Sequence, residues 1–178
     1  MKCAVNFVFL SLIIFVQVLS AQVPQAQPAP EWDALFDRTS GWTGADGIYS
    51  IPISGKDSPG SAGSTKTLFV FSDTFVGSVG ADNKRLSGTK LVNNTMAVLQ
   101  GGDPAPSKIT FLVRKNGSSN PVAYFVPSTP NTQPGDWYWL GDGISLNGKV
   151  HIFALRMKKE TAVFSISLSA ELRSFHSP

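Results

Sequence analysis

Asp46 and Asp142 stand in matching contexts. Ala45-Asp46-Gly47-Ile48 follows Trp42, and Gly141-Asp142-Gly143-Ile144 follows Trp139; an apolar strand pattern comes after each. Glycine beside an acid lets a substrate approach and supplies positive φ for a turn. Two such carboxyl groups facing each other meet the requirement of glycoside hydrolysis, one serving as acid and the other as base or nucleophile. Trp42, Trp137, Tyr138 and Trp139 lie close enough in sequence to these acids to stack on a sugar ring. A plainer reading stands beside this one. Asp-Gly is ordinary tight-turn chemistry, with the Asp side chain capping its own backbone, and aromatic clusters commonly pack a core.

Asp73, in Phe71-Ser72-Asp73-Thr74-Phe75, ends an apolar run. A carboxylate there needs hydrogen-bond partners, and Ser72 and Thr74 are at hand. It is either a third active-site acid or a structural one. Asn93 and Asn94 precede a strand much as the aspartates do, so either could reach the same cleft, and Asn94 is a candidate substrate contact. The remaining chemistry is sparse. His151 and His176 share no metal-ligand spacing with other residues. There is no Gly-x-Ser-x-Gly elbow, no P-loop and no dinucleotide fingerprint. No cofactor and no metal site are expected.

The elements that must position these residues read as strands. Period-two or continuous apolar patterns predict strands over 47–53, 67–75, 94–99, 108–115, 144–146, 149–155 and 161–168. Residues 31–38 form one helical turn or a first strand. The Gly/Ser/Pro-rich stretch 54–64 and the polar stretch 78–88 are loops. Asn116-Gly117 and Asn147-Gly148 are hairpin turns, the latter the strongest such signal. The connection 118–135, with four prolines, is long enough to be functional or to cross between units. No stretch shows sustained helical periodicity.

The 178 residues carry a formal charge of +3 and a pI near 9.1. The basic residues are scattered, apart from a run from Arg156 to Lys159 that reads as a solvated strand end or turn. Nucleic-acid binding needs a concentrated basic face, so it is not expected. Lys2, the apolar stretch from Phe7 to Leu19 and the small residues Ser20 and Ala21 form a secretory signal peptide over 1–21; an uncleaved anchor is the competing reading. The mature chain is expected to be extracellular, with no stable membrane insertion. Residues 22–38 are a leader. The sole cysteine, Cys3, lies in the signal, so nothing beyond it forms a disulfide. Two sequons, at Asn93 and Asn116, fit a eukaryotic secretory route.

The two aspartate contexts suggest repeated four-stranded units, the pattern of a β-propeller. The first unit covers about 42–117 and the second about 137–178, so residues 39–178 are an all-β, incomplete propeller domain and the chain a fragment. A smaller β-sandwich is the alternative. "GWTGADGIYSIPI", "TLFVFSDTFVG", "NNTMAVL" and "WYWLGDGISLNGKVHIFAL", in that order, resemble the N-terminal half of secreted domains of uncharacterised function that look related to five-bladed propeller glycoside hydrolases of the arabinanase, xylosidase and invertase kind. The resemblance covers about 42–155. It implies a central acidic pocket, with Asp46 at the first-blade position of base or nucleophile and Asp142 at the next blade's position, that of the second Asp that orients and tunes the pKa. The family's general acid is a glutamate from a middle blade, and neither Glu160 nor Glu171 fits that place. A secreted glycoside-hydrolase-like domain acting on carbohydrate is the resulting expectation. The alternatives are a carbohydrate-binding or adhesion module without turnover, and a structural β-domain with ordinary turns.

Overall fold

The strand Lys66–Phe71 is apolar at four consecutive positions, Leu68 to Phe71, because both of its faces are buried there. In the computed structural model, which describes residues 25–158 and the backbone of 170–175, this strand, β3, lies inside a four-stranded antiparallel sheet. The expected signal peptide and the strand expected over 161–168 lie outside the described residues. Leu68 and Val70 point to one side of β3, Phe69 and Phe71 to the other. Each fully buried side chain of this kind contributes roughly 1.5–3 kcal/mol.

The chain enters through a short helix, α1 (Pro30–Phe36), which settles the choice left open for this segment. Strand β1 (Ser40–Ala45) follows, then β2 (Tyr49–Pro52), a loop with one 3-10 turn at Ser61–Ser64, and β3. The run expected as one strand to Phe75 is two. It breaks at Ser72 and Asp73, and β4 (Thr74–Ser78) departs to pair with β1 on one side and β5 (Lys90–Val92) on the other. The break is polar. The Ser72 amide bonds to the Asp46 carbonyl, and the Thr74 hydroxyl donates to the Ser72 carbonyl at 2.8 Å. Strands β6 (Thr95–Gln100) and β7 (Ile109–Leu112) return to the first sheet, giving the order β2-β3-β6-β7. A small hairpin, β8 (Arg114–Lys115) and β9 (Pro121–Val122), turns at the exposed Asn116.

After the long connection, β10 (Trp137–Leu146) and β11 (Lys149–Met157) form the expected hairpin. Asn147 and Gly148 take φ of 52° and 73°, the two positive values of a type I′ turn. β12 (Ala170–Phe175) adds a third antiparallel strand beside β11. One face of β2-β3-β6-β7 packs on this second sheet: Ile51, Leu68, Val70, Met96 and Val98 meet Tyr138, Leu140, Val150, Ile152 and Ala154. The opposite face is covered by α1 and β1 through Leu35, Trp42 and Phe36. Two side-chain hydrogen bonds rivet the sheets together. Ser72 donates to the Leu140 carbonyl at 3.0 Å, and Ser145 to the Ile53 carbonyl at 2.6 Å. Together they hold β10 along β2 in the same sense. The fold is all-β, built from stacked antiparallel sheets, none of which closes on itself among the described residues.

Candidate functional site

Asp46 sits in the link between β1 and β2, tied to the break after β3. Its amide donates to the Asp73 carbonyl at 3.1 Å, and its carbonyl accepts from the Ser72 amide at 3.0 Å. Gly47 makes the link possible. It has φ of 58°, and a Cβ there would lie 3.0 Å from Ser72 Oγ and 3.2 Å from its Cβ. Only glycine takes both the left-handed conformation and the close approach without strain.

Two cavities open around this link. One, of about 320 Å³, is lined by Asp46, Asp73, Phe75, Arg85 and Leu91. The other, of about 300 Å³, is lined by Asp46, Tyr49, Ser72, Trp139 and Leu140. Asp46 is exposed and common to both. Asp73 is half-buried, and its Oδ1 accepts from Trp139 Nε1 at 3.0 Å and from Asn93 Nδ2 at 3.4 Å. The carboxylate is thereby oriented by the indole across the joint between the two sheets. Ser72 and Thr74, the expected partners of Asp73, instead bond to backbone carbonyls, and Thr74 also shares a buried hydrogen bond of 2.9 Å with Thr95. The arrangement offers two carboxylates, an indole edge and a phenol at one joint. Such groups accept sugar hydroxyl hydrogen bonds and pack on sugar carbons.

The structure separates the two aspartates that the sequence pairs. Asp142 stands inside β10, at a bulge where the register shifts between Leu140 and Gly143, rather than ahead of a strand. It is exposed, and its Oδ1 accepts from the Gly143 amide at 2.7 Å. The cavity it lines, about 210 Å³, is a different one, shared with Asp57, Ser50 and Ser145 toward the end of β2. The reason is the direction of β10: running along β2, it brings Trp139 beside Asp46 and carries Asp142 past it.

Two expected sugar contacts are core residues. Trp42 is 3% exposed, enclosed by Phe71 and Phe111 with ring centroids at 4.9 and 4.7 Å. Asn94 is fully buried, and its side chain is spent on the backbone. It donates to the carbonyls of Phe125 and Tyr138, both at 3.0 Å, and accepts from the Phe125 amide at 2.7 Å. Asn94 thus clamps the long connection to the start of β10. Tyr138 likewise faces the core. Trp137 is half-buried, edge-on to Trp139 at 6.4 Å, and lines neither cavity at Asp46. Of the aromatic cluster, Trp139 alone reaches the joint. Arg156, read as solvated, is 7% exposed and donates to Thr129 Oγ1 at 2.9 Å; its position on the inward face of β11 decides this. Among the described residues no group of three or more His, Cys, Asp or Glu is arranged to hold a metal ion, and no helix is long and apolar enough to cross a membrane.

Sequence reasoning missed Arg85 and gave Asn93 no bonding role. Arg85 lies in the polar stretch 78–88, where no periodicity marks any residue. Its guanidinium is held 3.7 Å above the Phe75 ring, and that pairing joins a loop to a strand ten residues earlier.

No curated protein matches the chain. In fold it is similar to a crystal structure described as a putative hydrolase from Bacteroides ovatus, with a TM-score of 0.60 and 15% identity. The match covers 83% of this chain and 38% of that one, so the chain spans well under half the length of its structural neighbour. At this identity the likeness is one of fold. A family model, described as a domain of unknown function (DUF5005), matches residues 30–177. That span includes α1, every described strand and the joint that holds Asp46, Asp73 and Trp139, and the chain belongs to the DUF5005 family.

Proposed function

We propose that the chain is part of a secreted, glycoside-hydrolase-like β-propeller that binds carbohydrate at the Asp46–Asp73–Trp139 joint. The observation that carries this reading is the joint itself. Two carboxylates line one cavity, and the Trp139 indole fixes the inner one at 3.0 Å from across the sheet boundary. Glycosidases work with a pair of carboxyl groups flanking the scissile bond. Similarity of fold to a structure described as a putative hydrolase supports it. The four-stranded meander β2-β3-β6-β7, packed face to face on β10-β11-β12, supports the propeller part. In this reading Asp46 is the base or nucleophile. Asp73 replaces Asp142 as its partner and orients the substrate, with Trp139 against the sugar face.

A second reading is binding without turnover. The acids lining the two cavities are both aspartates, whereas the resembled mechanism draws its general acid from a glutamate. One experiment separates the two. The protein is screened against an oligosaccharide panel for both binding and release of reducing ends. Hydrolysis that Asp46→Asn lowers by about 10³-fold or more, with binding retained, fits an acid acting in the transition state. Binding lost in Trp139→Ala with no turnover in any variant selects the second reading. If no glycan binds the wild type, the carbohydrate function is wrong.

A further inference from the structure

We propose that Arg85 selects an acidic sugar, a hexuronate, at the cavity it shares with Asp46 and Asp73; this inference rests on the carbohydrate reading above. Arg85 is fixed in place although it is exposed. Its Cζ lies 3.7 Å above the Phe75 ring. On another side, its Nη2 lies 3.3 Å from the position a Cβ on Gly44 would take, so the guanidinium packs closely against the β1 backbone there. The loop carrying it is a closed hairpin. The Gly80 amide bonds to the Lys84 carbonyl and the Leu86 amide to the Ser78 carbonyl, both at 2.8 Å. Cation–π stacking of this kind holds a guanidinium without consuming its in-plane donors.

Those donors are free for an anion. Among the described residues the ion pairs are Lys84–Asp82 and Lys108–Asp103, and Arg85 belongs to neither. It lines a cavity with two carboxylates and yet pairs with neither within salt-bridge range. Asp73 is committed to Trp139 and Asn93 through its Oδ1. A neutral sugar offers the guanidinium fork only hydroxyl and ring oxygens, which are weaker and non-bidentate acceptors. A hexuronate carboxylate takes it in a bidentate, charge-assisted pair, while the ring hydroxyls donate to Asp46 and Asp73. The carboxylate end must then lie toward Arg85 and Phe75, away from the protein acids, which sets the orientation of the ring in the cavity.

The test compares one oligosaccharide in two forms, an oligogalacturonate and its carboxyl-reduced neutral counterpart, titrated against the full chain by calorimetry. The acidic form is expected to bind at least about tenfold more tightly, the scale of one charge-assisted hydrogen bond. Raising the salt should narrow that ratio. Arg85→Gln should bring the ratio close to one, and Arg85→Lys should leave it intermediate, because lysine keeps the charge without the fork. Equal binding of the two forms by the wild type, or a ratio unchanged in Arg85→Gln, overturns the proposal while leaving the carbohydrate reading intact. Binding of neither form to the wild type overturns the proposal, and failure of the wild type to bind any of a broad glycan panel overturns the carbohydrate reading as well. Arg85 is exposed on a hairpin, and an unchanged melting temperature in both variants checks that the ratio reports recognition.

Discussion

Gly47 and Gly143 follow the two repeated aspartates, yet different forces keep them glycine. At Gly47 the backbone is left-handed and a side chain would press on Ser72. At Gly143 the backbone is ordinary, but a Cβ would come within 2.7 Å of Ile51 Cδ1 and would also overlap the His151 carbonyl. One requirement is conformational and local; the other is the packing of β10 against β11 and β2. The substitution Gly47→Ala is therefore expected to destabilise by about 1–3 kcal/mol and, by moving Asp46, to weaken glycan binding as well. Gly143→Ala should destabilise at least as much without touching the Asp46 cavities. Urea unfolding of both variants beside glycan titration checks the contrast. Equal loss of binding at equal loss of stability would remove the argument that Gly47 positions the acid.

Asn94 belongs to the same scale. Its fully buried amide makes three hydrogen bonds to the connection and to β10. Asn94→Ala leaves two carbonyls and one amide unmatched, a cost of about 2–4 kcal/mol. The segment 118–136 should then become the first site of limited proteolysis. Proteolysis that begins elsewhere, at unchanged stability, would show that the clamp is dispensable.

At the scale of elements, the strands were legible where one cause dominated. The runs at 68–71 and 96–99 are apolar because both faces are buried, and the Asn147-Gly148 hairpin was legible because both turn residues take positive φ. β1 was not legible. Ser-Gly-Trp-Thr-Gly-Ala carries two glycines and one large apolar residue, and what makes it a strand is pairing with β4, thirty-odd residues on. Asp73 was legible only as an acid in need of partners. Those partners, Trp139 and Asn93, come from other elements, and nothing within its own strand names them. The pairing of Asp46 with Asp142 failed for a related reason. The match in local sequence is real, but a bulge places one aspartate within its strand while the other precedes its own. The two sequons separate at this scale too. Asn116 sits in an exposed turn, its Oδ1 accepting from the Ser118 and Asn120 amides at 3.0 Å. Asn93 is half-buried beside Asp73, and the sequon's Thr95 is fully buried. Expression through a eukaryotic secretory pathway should add a glycan at Asn116 and none at Asn93. Mass spectrometry of the glycopeptides decides it, and occupancy of Asn93 would contradict the site as drawn.

At the scale of the whole molecule, the two sheets are unequally covered. The first is sandwiched, with α1 and β1 on one side and the second sheet on the other. The second sheet is buried on the first through Val150, Ile152 and Ala154, while Ile144, Leu146 and Phe153 on its outer face are each about half exposed, at 53%, 54% and 51%. Strand alternation puts these three on one surface, with Leu155 beside them. Contiguous apolar surface of this kind is usually an interaction face. In the proposed propeller a further sheet packs there, as the second packs on the first. The 178-residue chain alone is then expected to self-associate at micromolar concentration through this face. Replacing Ile144 and Phe153 together by lysine should restore a monomer with little change in melting temperature, since neither side chain is in the core. Sedimentation and a thermal scan of the two proteins measure this. A wild-type chain that stays monomeric, or a lysine variant that unfolds, would show that the face is already covered or already structural, and the propeller part of the proposed function would lose its support.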